Sequence, residues 1–158
     1  MREITATPAL KKTKALTIDI KVLKPDAVLP ESKTEEAACY DIAVCGEHYL
    51  PHGQSTIVPL GYALGIPKGY HAEIYLRSSV GAHSRLRLGN GVGIIDSDYT
   101  GELCLIVDNT ADYPCRLFHG DRIAQMLIKK NEDVVFKVVK ELKDTKRGSG
   151  GIGSTGST

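Results

Sequence analysis

The feature that most constrains this chain is short-range alternation of apolar and polar residues, broken repeatedly by glycine and proline. From Leu16 onward, Ile18, Ile20 and Val22 share one face of an extended segment, the period-two signature of a half-buried strand. Comparable stretches follow at 40–44, 55–59, 62–66, 71–76, 85–88, 92–95, 102–107, 122–128 and 134–139. Their spacing of about 8–12 residues is that of an all-β sandwich or barrel. Pro51-His52-Gly53, Pro67-Lys68-Gly69 and His119-Gly120-Asp121 supply turn chemistry between them. No segment sustains a helical period, and residues 78–84 have room for a single turn. The expected class is therefore all-β: a sandwich, a barrel or a jelly roll.

At 158 residues the chain is expected to form one domain with a core of its own. A formal net charge of +1 points neither to stable nucleic-acid binding nor to a membrane surface. The N-terminal ten residues lack the apolar core of a signal peptide, and no apolar run is long enough to span a bilayer. The expected location is the cytoplasm. Cys39, Cys45, Cys104 and Cys115 form no Cys-x-x-Cys pair, so free thiols packed in strands are expected rather than disulfides or zinc ligands. His48, His52, His71, His83 and His119 are scattered and are read as surface or packing residues.

Three regions are expected: a polar N-terminal arm at 1–15, a β domain at 16–143, and a C-terminal arm at 144–158. From Arg147 to the end there are five glycines and five Ser or Thr among 12 residues. Such a segment cannot build a core. It reads either as a linker or as an arm whose amide N–H groups and hydroxyls close over an anion.

The densest chemistry lies at 89–102, Gly-Asn-Gly-Val-Gly-Ile-Ile-Asp-Ser-Asp-Tyr-Thr-Gly-Glu. Asn90-Gly91 is a tight-turn signal and predicts a hairpin joining 85–88 to 92–95. The mouth of such a hairpin offers backbone groups to the edge of a base. Asp96 falls at a strand end, where functional side chains tend to be placed, although an Asp-Ser-Asp turn alone is common. Arg77-Ser78-Ser79 suits an anion, and so does Arg122 with Gln125. Each also has a bland reading as surface chemistry. Asp41 interrupts an apolar run and points either to solvent or to a hydrated cation. Dispersed arginines, hydroxyls and acids suit a polyphosphate with magnesium, yet no Walker A loop is present.

Taken in order, the segments at 37–42, 77–81, 89–102, 120–125 and 147–156 resemble the five motifs of the trimeric dUTPase family. The resemblance spans most of the chain and implies a jelly-roll subunit and a homotrimer with C-terminal arm exchange and three shared sites. It implies hydrolysis of dUTP to dUMP and diphosphate with Mg2+. That reaction limits uracil incorporation into DNA and supplies dUMP for thymidylate synthesis. By the resemblance, Asp96 is the general base that orients water for attack on the α-phosphorus. Asn90 and the backbone of Ile94, Ile95 and Asp96 read uracil, and Tyr99 lies under the deoxyribose. Arg77, Ser78, Ser79 and Gln125 contact phosphates, Arg122 supports the site, and Asp41 binds magnesium through water. Arg147 clamps the γ-phosphate, with Gly151, Ile152, Gly153, Ser154 and Thr155 closing over the substrate.

The chain departs from the family pattern at four positions. Ile152 replaces the Phe that stacks on uracil. Cys39 replaces a Gly, and Leu76 and Ser79 replace a Pro and a Gly. Two other readings stand beside hydrolysis. A dCTP deaminase on the same fold would need a Glu where this chain has Ile106. A non-catalytic regulatory or protein-binding member would keep the site residues without turnover.

Overall fold

The computed structural model describes residues 15–152 and residue 154. The expected N-terminal arm therefore lies outside the described residues apart from Ala15, as do Gly153 and Thr155.

Among the described residues, eleven strands and one short helix follow one another. They are β1 (Asp19–Val22), β2 (Tyr40–Ala43), β3 (His48–Leu50), β4 (Ser55–Pro59), β5 (Tyr62–Gly65), β6 (Tyr70–Leu76), α1 (Ser78–His83), β7 (Leu86–Leu88), β8 (Gly93–Ile95), β9 (Cys104–Asn109), β10 (Cys115–Leu117) and β11 (Arg122–Lys130). They pair as β1-β5, β10-β3, β2-β11-β6-β8 and β4-β9-β7, and every pairing is antiparallel. The chain is all-β, as expected, and α1 is the single helical turn anticipated near 78–84.

Alternation explains which face each strand buries. In β6, Ala72 and Ile74 are buried while His71, Glu73 and Tyr75 face outward. In β9, Leu105, Val107 and Asn109 are buried and Ile106 is exposed. These inward rows meet Ile42, Val44, Leu50, Val58, Leu60 and Tyr62 in one core. Among the described residues Asn109 is the one polar residue buried outside the hydrophobic core. Its amide donates to the carbonyls of Leu50 (3.1 Å) and Tyr113 (2.9 Å), so its burial leaves no donor unpaired. In β11 the alternation slips: a register shift against β2 between Arg122 and Ala124 places Ile123 and Ala124 both in the core. This is the behaviour of a β-bulge, which re-aims side chains at a sheet end.

Two expectations need correction, and two strands were not anticipated. The predicted hairpin between 85–88 and 92–95 does not form, because β7 pairs with β9 and β8 pairs with β6. A two-residue type I′ turn needs positive φ at both central residues. Gly91 has φ +69, but among the described residues no non-glycine has positive φ. The chain turns with Gly91 N–H on the Leu88 carbonyl (2.9 Å) and then passes from one sheet to the other. The predicted strand at 134–139 is absent from the sheets, which end with β11 at Lys130. Val135, Phe136 and Val138 are more than nine-tenths exposed, and a strand without a neighbouring edge has no ladder to join. Conversely, β3 and β10 escaped the pattern, since three residues are too few to show a period.

Candidate active site

Two groups of predicted site residues lie at opposite ends of β6. The first surrounds the end of β8. This strand is the outer member of its sheet, so one row of its backbone N–H and C=O groups faces away from β6 without a partner. Such an edge can read the hydrogen-bonding edge of a planar ring. Asn90 sits above it in the turn, where Gly93 packs closely: a Cβ there would lie 3.3 Å from Ile74 Cβ and 3.4 Å from Asn90 Nδ2. Ile94, Ile95, Asp96, Tyr99 and Cys104 line a recess of about 210 Å³. Asp96 is exposed immediately after the strand.

The Tyr99 ring is held in place from two sides. Its hydroxyl donates to the Glu102 carbonyl (2.9 Å). A Cβ on Gly101 would fall 2.7 Å from that hydroxyl, so the ring needs glycine beneath it. The Glu102 carboxylate in turn accepts from Gly61 N–H (3.0 Å), which ties the loop to the body. Glu102 is thus an anchor rather than a reacting acid. On the other flank of Asp96 a cleft is lined by His71, Lys129, Lys130, Asn131 and Glu132. The sequence reading assigned no function to these residues. Nothing local marks them, because His71 meets the cleft through its long-range pairing with Lys129.

The second group gathers on Asp41. Its Oδ1 lies 3.2 Å from Arg77 Nε, and its Oδ2 accepts from Arg122 Nη1 (3.0 Å). Arg77 Nη1 also donates to the Arg122 carbonyl (3.0 Å). Gln125 stands opposite Asp41 on one side and Tyr75 on the other, and its Nε2 approaches the Leu76 carbonyl at 3.4 Å. Ser78 and Ser79 are exposed at the start of α1. Two cationic side chains fixed by one carboxylate make a rigid anion-facing corner. Each Asp41 oxygen keeps lone pairs for water. Among the described residues, no carboxylate cluster at either end of β6 is close enough to cage a cation by itself.

The arm forms no part of either group. Arg147 Nε donates to the Gly150 carbonyl (2.9 Å), Ser154 N–H to the Gly151 carbonyl (3.1 Å), and Ile152 is fully exposed. Among the described residues these hydrogen bonds are internal to the arm.

Within one chain Asp96 and Arg77 are far apart. Ile95 stands opposite Ala72, so Asp96 falls level with His71, six positions along β6 from Arg77. At about 3.4 Å per residue the separation is roughly 20 Å.

The dUTPase family model matches residues 25–156. The chain belongs to the dUTPase family. It is 41% identical over 145 residues to a deoxyuridine 5'-triphosphate nucleotidohydrolase of Syntrophotalea carbinolica, covering 90% of this chain and 99% of that protein. It is 40% identical over 144 residues to the protein of the same name from Leptospira interrogans, covering 89% and 99%. A solved structure of Staphylococcus bacteriophage 80alpha dUTPase with dUPNHPP is similar at a TM-score of 0.82 and 26% identity, covering 90% of this chain and 99% of that one. As a dUTPase-family member, the chain carries Asp96 and Tyr99 beyond one end of β8, Asn90 before its other end, and Asp41, Arg77, Arg122 and Gln125 around the far end of β6.

Proposed function

We propose that the protein hydrolyses dUTP to dUMP and diphosphate at sites assembled from three copies of the chain. The observation that carries this reading is the placement of the two groups at opposite ends of β6. A general base must come within hydrogen-bond reach of the water it activates, about 2.6–3.2 Å. One triphosphate therefore draws Asp96 from one copy and the Arg77–Asp41 corner from a neighbour. The exposed run at 134–139 favours the same assembly. Val134, Val135, Phe136 and Val138 are all exposed, and such an apolar run favours a second surface that covers it.

In this reading the edge of β8 and the Asn90 amide bind uracil, and Tyr99 packs under the deoxyribose and leaves no room for a 2′-hydroxyl. Asp96 accepts a proton as water oxygen attacks the α-phosphorus. The bond from that phosphorus to the bridging oxygen breaks, and diphosphate leaves. Arg77, Arg122, Ser78, Ser79 and Gln125 hold the phosphates. Arg147 and the backbone from Gly151 to Thr155 close from the third copy, and Ile152 covers the base less fully than an aromatic ring. Mg2+ neutralises phosphate charge when bound. Asp41 would hold it through water, while its direct ligands come mainly from phosphate oxygens, consistent with the absence of a carboxylate cage.

Deamination is disfavoured by a second, smaller recess. Ile106 is among the residues beneath the Asn90 turn, and an aliphatic side chain there carries no proton. The deciding assay follows diphosphate release from dUTP, and ammonia release from dCTP, with and without EDTA. Diphosphate release from dUTP that EDTA abolishes supports the proposal. No turnover of dUTP with magnesium present refutes it.

A further inference from the structure

We propose that Asp26, Cys45 and His119 form a binding site for a zinc-class divalent cation that clips three loops together. Asp26 lies between β1 and β2, Cys45 just beyond β2, and His119 in the turn before β11. One ligand atom from each lies within 4.8 Å of the other two. Cys45 Sγ is 3.7 Å from Asp26 Oδ1, and His119 Nδ1 is 3.9 Å from Asp26 Oδ2. A tetrahedral zinc ion with bonds of about 2.0–2.3 Å sets its ligands roughly 3.4–3.6 Å apart. The two contacts use different Asp26 oxygens, so ligation through one oxygen draws the exposed carboxylate and imidazole inward by up to about 1 Å from the 4.8 Å bound.

The loops are held for this arrangement by backbone bonds. Val44 N–H donates to the Asp121 carbonyl (2.9 Å) and Gly120 N–H returns to the Val44 carbonyl (2.8 Å), pinning Cys45 beside the His119 turn. Leu23 and Lys24 N–H both donate to the Gly61 carbonyl, at 2.8 and 3.0 Å. Gly61 has φ +79, and a Cβ there would fall 2.9 Å from both Cys45 Sγ and Ala27 Cβ. Glycine at that position leaves the space into which the thiol projects.

The donor chemistry selects the ion. A thiolate, an imidazole and one carboxylate suit zinc or cobalt and not magnesium or calcium, which prefer oxygen ligands. Gly46 N–H donates to His119 Nδ1 (3.2 Å), so that nitrogen is unprotonated, and metal binding exchanges this long hydrogen bond for the metal–nitrogen bond. His48 Nε2 lies 3.0 Å from the Cys45 carbonyl, which holds the backbone of that residue. As the metal–sulfur bond forms, Cys45 releases its thiol proton to solvent. Water fills the fourth position. The clip joins the ends of β2 and β11, the two strands that carry Asp41 and Arg122.

The test uses the full chain stripped of metal and titrated with Co2+ and then Zn2+, without nucleotide. The expected result is uptake of about one ion per chain with a thiolate-to-cobalt charge-transfer band, and a zinc-dependent rise in Tm. Cys45→Ser should lose the band. His119→Ala and Asp26→Asn are exposed substitutions that leave the core intact, and each should weaken binding by about tenfold or more. Absence of the band in the wild type overturns the proposal. So does unchanged affinity in both His119→Ala and Asp26→Asn, whether or not Cys45→Ser folds. Neither result bears on dUTP turnover, so this site and the proposed activity stand or fall separately.

Discussion

A single carboxylate at a strand end has to be positioned by its neighbours. Asp96 leaves β8 between a recess lined by Tyr99 and a cleft lined by His71 and Lys130. Replacing it with Asn keeps the shape and removes the proton acceptor. Asp96→Asn is expected to lower kcat by roughly 100- to 10,000-fold, the usual span for general-base catalysis. Affinity for a non-hydrolysable dUTP analogue should change little, because the base and sugar contacts lie elsewhere. Steady-state turnover together with calorimetric titration checks both halves, and a variant retaining most of its rate would remove Asp96 from the role of base. Asp41 illustrates a residue whose surroundings lie far from it in sequence. The sequence showed an acid in an apolar run, whereas its two arginine partners come from positions 36 and 81 residues away.

The outer face of β6 and β11 carries a titratable row that belongs to whole strands. Glu73 accepts from the Tyr75 hydroxyl, and His71 Nε2 (3.3 Å) and Lys129 Nζ (3.2 Å) lie close by. The Tyr75 bond first, then His71 and Lys129, hold the Glu73 carboxyl down from the ordinary 4.5 to about 2. A depressed carboxylate stabilises the fold above its unfolded value, and that contribution fades as pH falls through the folded one. Glu73→Gln should therefore melt below wild type at pH 6, with the gap closing between about pH 4.5 and 2. Thermal melts across that range measure it, and a gap independent of pH would remove the charge as its cause. The C-terminal arm is the other element with a clear expectation. Its described hydrogen bonds are internal, so deleting residues 147–158 should leave unfolding by urea unchanged. Diphosphate release should fall by about 100-fold or more, the scale of lost transition-state donors. A truncated enzyme of full activity would deny the arm its closing role.

At the scale of the whole molecule, the roughly 20 Å between Asp96 and Arg77 in one chain is expected to be bridged between copies. Asp96→Asn and Arg77→Ala chains should each be nearly inactive alone. Refolded together, they should regain activity well above the sum of the two, because mixed trimers restore intact sites between unlike neighbours. Activity no higher than that sum, in a mixture whose sedimentation shows trimers, would place each site within one chain.

Local chemistry made the fold class legible. Alternation within β4, β6, β9 and β11, and turns at Gly53, Gly69 and Gly120, depend on neighbours a few residues away, and each was readable along the chain. The ordered motifs likewise located Asp96 at a strand end and identified the family. The tertiary structure alone decided which edges pair. It separated β7 from β8 because each meets a different sheet across the core, and it left 134–139 without a partner. It set Asp41 beside Arg77 and Arg122, and it brought Asp26, Cys45 and His119 together. Strand pairing is a choice among distant partners made by packing of the common core, and no short-range pattern encodes the distance between groups that such packing unites.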